Sequence, residues 1–71
     1  DPVKAKTVRK WLNEVTKETV ARLFILRIAD IEGQSDYQKS EKLAVVRTNL
    51  ETFSSVLEEE GEDNNTVKAL L

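Results

Sequence analysis

SDYQKSEKLAVVRTNLETFSSVLEEE, residues 35–60, decides the fold. Across these 26 residues Leu43, Val46, Leu50, Phe53 and Leu57 recur at alternating steps of three and four. That spacing lines them up along one stripe of a helix and fits neither face of a strand. Ser35 is placed to cap the start, with Gln38 three residues on completing a capping box, and Gly61 is placed to take the left-handed conformation that ends a helix. At about 1.5 Å per residue the element is roughly 35 to 39 Å long. So short a chain is not expected to wrap it alone. Part of the seam should face two shorter helices that precede it, and part should face a second copy, the rest of a larger protein, or solvent.

Immediately upstream, Gly33 ends a second helix and the segment to Asp36 reads as a tight turn, which makes the second and third helices antiparallel neighbours. Thr16 caps the second helix, with Glu18 in its first turn favourably placed against the helix dipole. Val20, Leu23, Phe24, Ile28 and Ile31 form one face, and Ala21, Ile25, Leu26 and Ala29 extend it most of the way round. This helix is therefore expected to be the central, most buried one, with Arg22 on its narrow outer side. Arg27 and Asp30 sit near its end. A lone buried charge is expensive, so Asp30 is expected to tie down Arg27 or the following turn.

Further upstream, Asp1-Pro2 suits a helix opening, aspartate as cap and proline at the first helical position. Val8, Trp11, Leu12 and Val15 make the apolar face of a first helix ending near residues 13–15, with Lys6, Arg9, Lys10 and Lys17 toward the other side. Trp11 lies in register with the apolar face and brings no second exposed aromatic, so it reads as a core anchor rather than a platform for stacking bases. In the third helix Lys39, Lys42 and Arg47 point outward above Glu51, and Tyr37 is expected to close one end of the core. Downstream, Glu58, Glu59 and Glu60 crowd a helix C-terminus, where the dipole disfavours them and fraying is expected. Residues 61–65 are polar, and Asn64 or Asn65 caps a short helix beginning at Thr66 with Val67, Leu70 and Leu71. Either the polypeptide continues past this barely begun pattern or the tail folds back on the bundle.

The fold class that follows is all-α: a small three-helix bundle with a long third helix, expected to be a fragment of a larger α-helical region. Residues 1–60 form the helical body, and residues 61–71 a flexible turn and the start of a truncated helix. A chain of 71 residues buries only about 60% of the surface its unfolded form exposes, so stability should be modest. The absence of cysteine and histidine removes disulfides, thiolate nucleophiles and the usual zinc ligands. The apolar run over residues 20–31 is interrupted by Arg22, Arg27 and Asp30, which argues against a membrane span, and the basic opening lacks the apolar segment of a signal peptide. A cytoplasmic home is expected. The net charge of −2 hides an asymmetry: residues 1–47 carry ten Lys or Arg against seven Asp or Glu, and residues 48–71 carry one against six. Such a split is read either as solvated surface or as a basic part that approaches phosphates.

Val8-Arg9-Lys10-Trp11-Leu12 followed by residues 19–26 resembles the basic-apolar helix, short break and leucine-rich helix that follow the catalytic head and neck of bacterial-type tRNA nucleotidyltransferases and poly(A) polymerases. Leu26-Arg27-Ile28-Ala29-Asp30 is similar to the family's L-R-x-A-D segment, and Ile31-Glu32-Gly33-Gln34-Ser35 to the small-residue turn after it. The long third helix resembles the one crossing the body of these enzymes. Asn65-Thr66-Val67-Lys68-Ala69-Leu70 resembles the turn and K-D-L start of the next helix, with Ala69 in place of the aspartate. The resemblance covers nearly the whole chain. It implies a parent enzyme that transfers nucleotides from CTP or ATP to RNA 3′ ends, with Mg2+ held by paired carboxylates in an upstream catalytic domain of the same polypeptide. None of those carboxylates carries over to this sequence. The body helices of such enzymes hold tRNA through its backbone, which makes Lys6, Arg9, Lys10, Arg22, Lys39, Lys42 and Arg47 candidate contacts to tRNA or other RNA. Trp11, Arg27, Asp30, Leu43, Leu50 and Phe53 take structural roles.

No catalytic residue is assigned to this chain. Asp30 and Glu32, two apart on a helix, do not face each other, Glu58 to Glu60 is a solvated run, and no phosphate-loop, oxyanion-hole or triad signature occurs. The alternative to an RNA-contacting segment is a small helical interaction or dimerisation module, in which an exposed part of the seam over residues 43–57 binds a partner helix or its own copy.

Overall fold

In the computed structural model, which describes residues 3–34 and 37–71, four helices follow one another: α1 (Ala5–Glu14), α2 (Lys17–Glu32), α3 (Lys39–Glu59) and α4 (Asn65–Leu70). There is no strand among the described residues. The all-α bundle with a long third helix is therefore what the periodicity predicts, and α4 joins it as a fourth element. At about 1.5 Å per residue α3 is about 32 Å long, most of the 38 Å length of the molecule. The molecule's other two dimensions are 20 Å each.

The chain reverses direction between α2 and α3. Gln34 and Lys42 meet near the turn, Phe24 stacks on Phe53 with centroids 5.7 Å apart, and Lys17 reaches Glu62 at the far end. These pairs run in opposite senses along the two helices, so the expected antiparallel packing holds. Along α1 the pairs run in the same sense as α3: the Val3 amide donates to Asn49 Oδ1 at 2.9 Å, and Arg9 pairs with Glu59.

The core reverses one sequence expectation. The central helix is α3, which buries Val46, Leu50, Phe53, Ser54, Val56 and Leu57 and packs against the other three helices. By contrast α2 buries only Val20, Ala21 and Ile31, with Phe24 and Ile28 partly covered. Leu23 and Leu26 remain 60% and 59% exposed, and Ile25 44%. An apolar arc that runs most of the way round a helix leaves residues outward when neighbours cover only one side. Nor does α3 keep a spare seam for a partner: α1, α2 and α4 cover it, with Val8 and Val67 buried against it and Leu43 partly buried. Tyr37, expected to close the core, is 92% exposed.

The helix ends show which local signals decided the boundaries. Thr16 Oγ1 accepts from the Thr19 amide at 3.2 Å, the predicted N-cap of α2. Gly61, at φ +73°, follows α3; its amide donates to the Glu58 carbonyl at 3.1 Å and that of Glu62 to the Leu57 carbonyl at 2.8 Å. This is the paired bonding of a Schellman end, which needs a left-handed residue and so favours glycine. Gly33 also ends its helix, but in the right-handed region at φ −79°. Helix α1 starts at Ala5 with Lys4 as an N-cap that gives no side-chain bond, so its start is later than the Asp1-Pro2 opening, which lies outside the described residues. Helix α3 likewise starts at Lys39, four residues after Ser35, whose capping role also lies outside the described residues. In place of a side-chain cap, Lys39 Nζ donates to the Glu32 carbonyl at 2.9 Å, which ties the start of α3 to the end of α2.

Candidate functional site

The seven basic residues proposed as phosphate contacts divide into two groups. Four are engaged within the protein. Arg9 pairs with Glu59 across α1 and α3, Arg47 Nε lies 3.7 Å from Glu51 one turn along α3, Lys39 holds the Glu32 carbonyl, and Lys42 Nζ donates to Gln34 Oε1 at 3.0 Å. Lys39 and Lys42 thus brace the α2–α3 turn. Exposed pairs such as Arg47–Glu51 contribute little to stability and exchange readily for another anion. The second group is Lys6, Lys10 and Arg22, all exposed and, among the described residues, in no ion pair.

Lys6 and Lys10 are one turn apart on the side of α1 away from Val8, because residues four apart stack on one helix face. They belong together for that reason alone. Lys4, just ahead of α1, is also exposed and in no ion pair among the described residues. It escapes the sequence reading because, four residues before Val8, it falls on the apolar side of the expected helix. Arg22 stands on the outer side of α2, where the sequence places it.

Acidic groups gather at the C-terminal end of α3, where Glu59 meets Arg9 of α1, and hold α4. Asn64 is buried; its Nδ2 donates to Ser54 Oγ at 2.9 Å, to the Ser54 carbonyl at 3.3 Å and to Glu58 Oε1 at 3.2 Å. Glu58 also meets Lys68 Nζ at 3.2 Å. The hydrogen bond from Asn64, then the bond and positive charge of Lys68, hold the Glu58 carboxyl below its ordinary value. Lys17 adds a clip, with Nζ 3.2 Å from Glu62 and 3.4 Å from the Asp63 carbonyl. With Glu59 on Arg9 and Glu58 on Lys68, two of the three glutamates expected to fray the end of α3 have cationic partners. The Ser54–Asn64 pair has no signal in the sequence, since small polar residues leave no mark on hydrophobic periodicity.

Arg27 and Asp30 pair as expected, at 3.6 Å, and Gln34 Nε2 donates to Asp30 at 3.4 Å, so Asp30 does reach toward the turn. Both partners are exposed rather than at a core edge, which makes the pair a surface tie. Trp11 packs its partly buried ring against the core, as an anchor should, and with Val15, Val20, Leu23 and Phe24 lines an open apolar cavity of about 330 Å3 bordered by Glu14. Leu50 and Phe53 are core residues, and Leu43 flanks them.

Among the described residues no group of three or more Asp or Glu side chains is placed to hold a metal ion. No helix among the described residues is long and apolar enough to cross a membrane. Compared with family models, with curated proteins and with solved structures, the chain finds no match.

Proposed function

We propose that the chain is an RNA-contacting helical segment of a template-independent nucleotidyltransferase, one that adds CTP- or ATP-derived nucleotides to RNA 3′ ends. In this reading it positions tRNA or another RNA by backbone contacts while an upstream domain of the same polypeptide supplies the Mg2+-dependent chemistry. The observation that carries it is the pair Lys6 and Lys10, stacked on the outer face of α1 and in no ion pair among the described residues. Unpaired cations on one rigid face bind phosphates without first breaking an internal contact. Support also comes from the order of elements, a basic-apolar helix, a leucine-rich helix, a turn, a long helix and a short one, which is the order the resemblance implies. Titration of the chain with tRNA, followed by amide chemical shifts, tests the reading. It expects the largest changes over residues 4–10 and near Arg22, and the same pattern with a tRNA of different sequence. Absence of any change there contradicts it.

A second reading, a helical interaction or dimerisation module, is favoured by a different observation. Leu23 and Leu26 stand outward on α2, and isolated helical domains seldom leave large apolar side chains grouped on one exposed face. The seam of α3 is covered by the other helices, so α2 carries this role in the second reading. Shift changes confined to α2 as the protein is concentrated would favour this reading over the first.

A further inference from the structure

The outer face of α2 is self-complementary. At about 100° per residue, Arg22, Leu23, Leu26, Ala29, Asp30 and Gly33 fall within one sector of about 120°, and all six are exposed. Leu26 lies at the middle of this strip. Arg22 is one turn before it and Asp30 one turn after it. We propose that the partner of this face is a second copy of the chain, with the two α2 helices packed antiparallel about a twofold axis at Leu26. The inference rests on the second reading above, and it gives Arg22 a carboxylate partner in place of the phosphate of the first.

Antiparallel pairing brings together residues equally distant from Leu26. Leu26 then meets Leu26 of the second copy, Leu23 stands level with its Ala29, and the long side chain of Arg22 reaches across to its Asp30. The twofold axis makes every such contact twice. A parallel arrangement would instead set Arg22 against Arg22 and Asp30 against Asp30, so the charges select the antiparallel one. Arg22 is in no ion pair among the described residues, and Asp30 holds Arg27 at 3.6 Å through one carboxylate oxygen, Oδ2, the same oxygen that accepts from Gln34. Its other oxygen is available to a second cation. Ala29 and Gly33 allow the helices to approach closely at both ends of the strip. A single pair of 16-residue helices is a small interface, so the dimer should be weak.

Sedimentation velocity over a concentration series from micromolar to millimolar tests this, with circular dichroism confirming that each variant keeps its helix. The wild-type chain should pass from monomer to dimer. Leu26→Asp, at an exposed position that folding does not use, should remain monomeric throughout. Arg22→Asp should weaken the dimer about tenfold, and the exchange Arg22→Asp with Asp30→Arg should restore most of that loss. A wild-type monomer at every concentration overturns the inference together with the reading beneath it. A dimer indifferent to Leu26→Asp overturns the α2 interface alone and leaves self-association standing through another face. Failure of the charge exchange to recover the dimer overturns the antiparallel pairing.

Discussion

Phe53→Ala should come close to unfolding the protein. Phe53 is 0% exposed and stacks on Phe24 near the middle of the α2–α3 contact. Truncating a fully buried phenylalanine costs about 3 to 5 kcal/mol, from lost transfer energy and from the cavity left behind. A chain of 71 residues has a total stability of about 4 to 10 kcal/mol at the usual value per residue. The substitution therefore removes between a third and all of it. Urea unfolding followed by circular dichroism at 222 nm reads the change. With a slope of about 1 to 1.5 kcal/mol per molar urea for so small a protein, the midpoint should fall by about 2 to 5 M or the transition should vanish. Leu23→Ala is the matched control. The sequence groups Leu23 with the core, whereas the structure leaves it 60% exposed, so its loss should stay below about 1 kcal/mol. Equal losses for the two variants would refute α3 as the central helix and restore α2 to that role.

Three further outcomes follow from the helix ends. Gly61→Ala forces an alanine to φ +73° and should cost about 1 to 2 kcal/mol, while Gly33→Ala, in the right-handed region with only ordinary contact at 3.5 Å to the Ala29 carbonyl, should be neutral or slightly stabilising; paired urea midpoints check both. Asn64→Ala removes the buried donor to Ser54 and should cost about 1 to 3 kcal/mol, and it should also raise the Glu58 pKa toward its ordinary value, read by a carboxyl NMR titration. Because the folded-state pKa of Glu58 is depressed, its contribution is fully present above the unfolded value and is lost as pH falls through the folded value. The hold on α4 should thus loosen below about pH 4.5, and Glu58→Gln should remove that pH dependence, measured as amide exchange over residues 65–70.

The sequence makes the type of each helix and several of its ends legible. Three-and-four spacing identifies α3, and Thr16 and Gly61 mark boundaries through hydrogen bonds that only those residue types make well. Orientation is less legible. On α2 the apolar residues run most of the way round, so spacing alone cannot choose the side that neighbours will cover; the narrower stripe of α3 leaves no such choice. Tertiary pairing is hidden as well. Nothing in the spacing of Arg9 and Glu59, or of Ser54 and Asn64, indicates that they meet. For the candidate site the sequence supplies seven cations and the structure sorts them, because whether a lysine is free depends on which carbonyl or carboxylate the fold carries to it. Lys39 and Lys42 brace a turn for that reason, while Lys6 and Lys10 do not.

The central claim is that unpaired cations on α1 meet an RNA backbone, and the salt dependence of tRNA binding tests it most directly. The logarithm of affinity should fall linearly with the logarithm of salt concentration, and Lys6→Gln with Lys10→Gln should make that slope shallower by about 2, roughly one counterion for each lysine removed. An affinity that ignores salt, or a slope unchanged by the double substitution, would contradict the account.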